Sequence, residues 1–122
     1  MKIKPQDNLD KILELNNLAT TALANDDHAS ALHYSTRALK IAQDSGDKVG
    51  ECAVLLNRGH IMLNYVTHEE CVLIWLQAYR IAKQIGFTPV LEALEEMSIQ
   101  LRGEGLEFWE TLSLVTPKHS DD

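Results

Sequence analysis

Basic charge, aromatic rings, cysteine and proline are all scarce in this 122-residue chain, and each shortage narrows what it can be. Eleven Lys and Arg face eighteen Asp and Glu, a formal net charge of −7, so no basic excess is available to neutralise a phosphate backbone. Nucleic acid is not expected as a ligand. No apolar run approaches the ~18 residues needed to cross a membrane. The densest are Cys52-Ala53-Val54-Leu55-Leu56 and Val72-Leu73-Ile74-Trp75, so no membrane partner is expected either. Met1 to Gln6 contains basic residues with no apolar stretch behind them, which argues against a signal peptide. The two cysteines, Cys52 and Cys71, sit inside apolar helical pattern rather than in turns. That suits small core residues in a reducing compartment better than a disulfide framework, and the expected location is cytoplasmic.

Motifs that carry chemistry are missing too. There is no Gly-x-Ser-x-Gly elbow and no glycine-rich phosphate loop; Gly103-Glu104-Gly105 is too short and too acidic to cradle phosphate. His68 and Cys71 stand three apart, a spacing that can share a metal, and His28 recurs at the equivalent position. No second ligand pair accompanies them, and His68-Glu69-Glu70-Cys71 lacks the second histidine of a metalloprotease helix. The expectation is no catalytic residue, no metal and no cofactor, with an enzyme or metal protein kept as the alternative class.

What is present is helix punctuation. Asp7 precedes Leu9, Ile12, Leu15, Leu18, Ala19, Ala22 and Leu23, spaced three and four apart, and Asn25-Asp26-Asp27 breaks that pattern. A second helix carries Ala31, Tyr34, Ser35, Ala38, Leu39, Ile41 and Ala42 and ends at Asp44-Ser45-Gly46-Asp47, where glycine can turn left-handed and Asp47 can cap the next start. The third runs through Val49, Cys52, Leu55, Leu56, Gly59, Met62 and Leu63. Thr67-His68-Glu69-Glu70 reads as a capping box ahead of Cys71, Trp75, Ala78, Ile81 and Ala82, and Gly86 closes that helix. Thr88-Pro89 reads as a cap followed by a proline at the first helical position. A fifth helix holds Val90, Leu94, Met97, Ser98 and Leu101; after Gly103-Glu104-Gly105, Leu106 to Val115 makes a short sixth. The chain therefore reads as all-α, one domain over 1–116, with a disordered acidic tail over 117–122.

The helices repeat at an interval of 40 residues. Leu15, Asn17, Leu23 and His28 return as Leu55, Asn57, Leu63 and His68, and Ala38, Ile41-Ala42 and Gly46 return as Ala78, Ile81-Ala82 and Gly86. A period in the 20–50 range signals stacked units that cannot bury their apolar faces alone, an architecture that usually presents a surface to a partner. Units fall at about 8–46 and 47–86, with a decayed or capping unit at about 88–115.

Set out as helix pairs, these residues resemble the tetratricopeptide repeat, in its longer variety of about 40 residues. The first unit offers Leu15, Leu18-Ala19 and Ala22, then Ala31, Ser35 and Ala38; the second offers Leu55, Arg58-Gly59 and Met62, then Cys71, Trp75 and Ala78. The small residues let two helices approach while Leu, Met and Trp fill the remaining space. The resemblance implies a right-handed α-solenoid of antiparallel hairpins, five to six helices in all, that binds a peptide or helix of another protein on its concave face. It further implies that Asn17 and Asn57, two residues before Ala19 and Gly59, hydrogen-bond the backbone of that peptide. Thr20, Thr21, His60 and Asn64 would lie along the same face. The alternative is that the asparagines bond only to neighbouring helices or water. A chaperone-like or regulatory subunit shielding one dedicated partner is a second form of the same reading.

Charge and the last helix add two open questions. Met1 to Phe87 holds ten acidic and nine basic residues, a balance of −1, whereas Thr88 to Asp122 holds eight against two, a balance of −6. That acidic end is either a solvated face or a surface for a basic partner. The sixth helix is apolar over a broad arc, with Phe108, Trp109 and Leu112 either sealing the end of the stack or joining a second copy of the chain.

Overall fold

Glycine and short acidic side chains place the helix boundaries. Gly46, Gly86 and Gly103 adopt φ of 70°, 71° and 69°, a left-handed turn that ends a helix without a Cβ penalty. Asp27 and Asp47 accept hydrogen bonds from the amides of Ser30 (3.2 Å) and Gly50 (2.9 Å), and Thr67 accepts one from Glu70 (3.2 Å). The computed structural model describes residues 5–118. Over that range the chain forms α1 (Pro5–Ala24), α2 (His28–Ser45), α3 (Lys48–Met62), α4 (His68–Ile85), α5 (Thr88–Arg102) and α6 (Leu106–Val115). No strand occurs among the described residues. Of the tail expected to be disordered, Pro117 and Lys118 are non-helical, and 119–122 lie outside the described residues.

Three boundary readings are corrected. Asp7 lies inside the first turn of α1 rather than before it, because the helix already runs from Pro5, a residue tolerated in a first turn. Thr88 is the first residue of α5, and Phe87 occupies the cap position without a side-chain bond. Pro89 has no amide hydrogen, so one of the donors a cap would satisfy is missing there. The return half of the capping box at Thr67 is not made among the described residues, since Glu70 is exposed to water.

Successive helices pack as α1/α2, α3/α4 and α5/α6 hairpins. First helices meet in the order α1, α3, α5; α4 also meets α6, whereas the backbones of α2 and α4 do not approach closely. These contacts are consistent with a helical repeat. Ile12, Leu15, Ala38, Ala42 and Val54 form one core cluster, and Ala19, Ala22, Ala31 and Ile61 form a second, both between α1, α2 and α3. The largest cluster spans α3 to α6 around Trp75, Leu76, Leu94 and Trp109. Burying each such Leu or Ile side chain is worth about 1.5–3 kcal/mol, which α5 and α6 collect only by packing on α3 and α4.

Candidate interaction surfaces

The 40-residue repeat places Asn17 and Asn57 at equivalent points on α1 and α3, and the two side chains do different work. Asn57 is half-buried, and its amide nitrogen donates towards Asn16 Oδ1 (3.1 Å), the Asn16 carbonyl (3.4 Å) and Thr20 Oγ1 (3.0 Å). Its amide N–H groups therefore fasten α3 to α1, and only the amide oxygen is left outside these bonds. Thr20 is committed to the same junction and also donates to the Asn16 carbonyl (3.0 Å). Asn17 is exposed, and among the described residues α1 meets only α2 and α3. Thr21 is exposed on α1, whereas Asn64 is exposed in the turn that follows α3, where its amide nitrogen donates to the Ile61 carbonyl (3.4 Å).

His60 belongs to a packed assembly instead. Its Nδ1 lies 3.1 Å from the Leu56 carbonyl, and its ring stands edge-on to Trp75 at 5.2 Å between centroids. Trp75 donates its indole N–H to the same carbonyl at 2.9 Å. A Cβ built on Gly59 would collide with that indole, so glycine at this point is a condition of seating the tryptophan. Arg58 reaches the other way and donates to Ser35 Oγ (3.4 Å) and Thr36 Oγ1 (3.1 Å), tying α3 to α2. Of the six residues expected to line a binding face, Asn17, Thr21 and Asn64 are open to solvent without an interhelical bond. Thr20, Asn57 and His60 hold the scaffold together.

The terminal helix turns one of its two adjacent aromatic residues inward. Trp109 is 2% exposed and donates its indole N–H to the Leu94 carbonyl at 2.9 Å, as Trp75 does to Leu56. It is a core residue of the cluster that spans α3 to α6. Sequence order could not show this, because Phe108 and Trp109 are adjacent and only packing decides which turns inward. Phe108 stands edge-on to Trp109 at 5.0 Å and carries the Arg102 guanidinium 5.1 Å above its ring. Phe108 and Leu112 are partly buried; the outward apolar residues of α6 are Leu114 and Val115.

A groove of about 600 Å³ opens between α4, α5 and α6. Val72, Leu73, Met97, Leu101, Phe108 and Leu112 wall it, Trp75 and Trp109 form its floor, and His68, Glu69 and Arg102 lie on its rim. Leu73 and Leu101 are 47% and 62% exposed, unusual for leucines that face an apolar hollow. Sequence reading missed this surface, although α4 carried the signal: Val72, Leu73 and Leu76 make it apolar beyond the stripe of Cys71, Trp75 and Ala78.

A second, open hollow of about 1080 Å³ is of mixed character, and most of its charged side chains are paired within the chain. Lys48 pairs with Glu51 (3.1 Å) and Lys83 with Glu110 (3.6 Å). Arg80 donates to Ser113 Oγ (3.1 Å) and to the carbonyls of Ser113 and Thr116, holding the last turn of α6. Elsewhere burial pushes the Cys52 thiol up to about 11 and raises that of Cys71, which disfavours the reactive thiolate. Both thiols are free. Among the described residues no three His, Cys, Asp or Glu side chains stand together as a metal-binding group, and no helix is long and apolar enough to cross a membrane. Comparison with family models, with curated proteins and with solved structures found no match.

Proposed function

We propose that this chain is a non-catalytic interaction module of the tetratricopeptide type, which binds a peptide or helix of another protein in the cytoplasm. The observation that carries the reading is the row of first helices α1, α3 and α5 in successive contact, with Asn17 and Thr21 left exposed on α1 and Asn64 in the turn after α3. An exposed amide offers both a donor and an acceptor, which matches a peptide backbone without reading its side chains. Two free, buried thiols support a reducing compartment. A partner isolated by co-purification from the native cell should bind an Asn17→Ala/Asn64→Ala variant about tenfold more weakly, at about 0.5–1.5 kcal/mol per lost bond, with helicity unchanged. Undiminished affinity would remove the binding site from this face.

Self-association is the second reading, supported by Leu114 and Val115, which are 87% and 69% exposed. Sedimentation over a wide concentration range tests it, and a monomer throughout defeats it.

A further inference from the structure

We infer that the groove between α4, α5 and α6 is a docking site for an amphipathic helix with a basic polar face, supplied by another protein. The inference rests on the reading of this chain as an interaction module but uses a surface other than the row of first helices. The groove originates in a missing helical turn. Trp75 lies seven residues beyond the start of α4 at His68, whereas Trp109 lies three beyond the start of α6 at Leu106. Both indoles bond back to the first helix of their hairpin, at Leu56, three residues before Gly59, and at Leu94, four before Ser98, so they mark levels one residue apart. Relative to α4, α6 therefore begins about one turn late, at 3.6 residues per turn, and the Gly103–Gly105 link stands in place of helix. The side chains that this turn would have covered stay open: Val72 and Leu73 on α4, Leu101 at the end of α5.

A helix suits the vacancy better than an extended strand. The walls are themselves helices, whose backbone groups are bonded internally and offer no ladder to a strand. A helix brings its own backbone bonds and needs only apolar side chains at three- and four-residue spacing. The walls present that spacing in Val72 and Trp75, Met97 and Leu101, and Phe108 and Leu112.

Charge selects the polar face of the occupant. Glu69 lines the groove and Glu70 follows it, while Glu104 and Glu107 fall between the lining residues Arg102 and Phe108. Glu69, Glu70 and Glu104 form no ion pair among the described residues, and Arg102 is held over the Phe108 ring. Residues 88–118 hold six carboxylates against two cations, a balance of −4. Lysines or arginines flanking an apolar stripe would meet unpaired carboxylates, whereas a second copy of this chain would bring like charge to the contact.

The test uses two synthetic peptides of about four helical turns, one with leucines on one face and lysines on the other, one with glutamates replacing the lysines. The lysine peptide should bind, shift the amide resonances of α4, α5 and α6, and lose affinity as salt is added. Leu73→Asp and Leu101→Asp should each weaken it about tenfold, with thermal melts confirming that these exposed positions leave the fold intact. The charge variant Glu69→Lys/Glu104→Lys, on exposed side chains, should weaken the lysine peptide even if an apolar variant melts early. Asn17→Ala should leave groove binding unchanged, so failure of the groove and failure of the first-helix face are read separately. Equal affinity for the two peptides, shifts confined to α1 and α3, or a dimer of the chain alone that occupies the groove would each overturn the inference.

Discussion

The first hairpin and the two that follow solve the same packing problem in opposite ways. Along α1 and α2, Ala19, Ala31, Ser35 and Ala38 are small and fully buried, and the two backbones approach more extensively than in any other pair. In the second hairpin the position 40 residues after Ser35 is Trp75, and the position after Ala19 is Gly59. A large ring enters a notch that only glycine can provide, and its N–H satisfies a carbonyl of the facing helix. The third hairpin keeps only the second half of the device, the Trp109 N–H bonded to the Leu94 carbonyl; buried Ser98 shares its one hydroxyl proton between the carbonyls of Glu95 and Gly105, each at 3.0 Å. One repeat thus tolerates either close backbones or a keyed tryptophan. The second solution concentrates stability in one side chain, while the first spreads it along a seam.

That contrast is most directly broken at the tryptophan. Trp75→Ala should cost about 3–5 kcal/mol by leaving a cavity, whereas Ser35→Ala should cost about 1 kcal/mol or less. Denaturant melts giving similar losses at both positions would erase the distinction. Gly59→Ala should cost about 1–3 kcal/mol by overpacking against the indole. Ala19→Gly should lose about 1 kcal/mol of helix propensity alone. A Gly59→Ala/Trp75→Leu double variant should lose less than the sum, because the smaller side chain vacates the notch.

Asn57→Ala should cost about 0.5–1.5 kcal/mol through its bonds to α1, while Asn17→Ala should leave the melting curve where it is. Trp75→Phe and Trp109→Phe keep most of the apolar volume and lose only the indole bond, about 1 kcal/mol each; a much larger loss would mean ring shape, not the bond, is the key. The smallest effect separates the hairpins by chemistry. Cys52 and Cys71 stand where the first hairpin has Ile12 and Ala31, so only the second carries titratable thiols. A folded thiol raised from 9.0 to about 11 contributes stability fully below the unfolded value, and that contribution fades as pH rises between the two. Stability should therefore decline above pH 9, and Cys52→Ala should flatten that slope. A decline of equal size in the variant would assign it to other groups.

Helix number, helix order and nearly every stop were legible, because Gly46, Gly86 and Gly103 act within one turn of themselves and Asp27, Asp47 and Thr67 bond amides three residues away. Such local rules need no knowledge of the rest of the chain. The exceptions, at Asp7 and Thr88, are places where proline alters which amides require a cap. The internal repeat was equally plain, and with it the pairing of small residues on facing helices. The candidate site was legible only in part. Asn17 and Asn57 hold equivalent places in the 40-residue repeat, yet one is exposed and the other bonds α1, because Asn57 faces Asn16 and Thr20 across the α1/α3 contact.

By itself, then, the sequence determined an all-helical chain with a 40-residue period, since backbone hydrogen bonding, capping and apolar spacing are local properties. Tertiary structure decided which of two adjacent rings, Phe108 or Trp109, turns inward, and which polar side chains serve the scaffold. It also decided that the late start of α6 leaves a groove beside α4. Those outcomes depend on what stands across from a residue, and no residue's own identity specifies its neighbour from another helix.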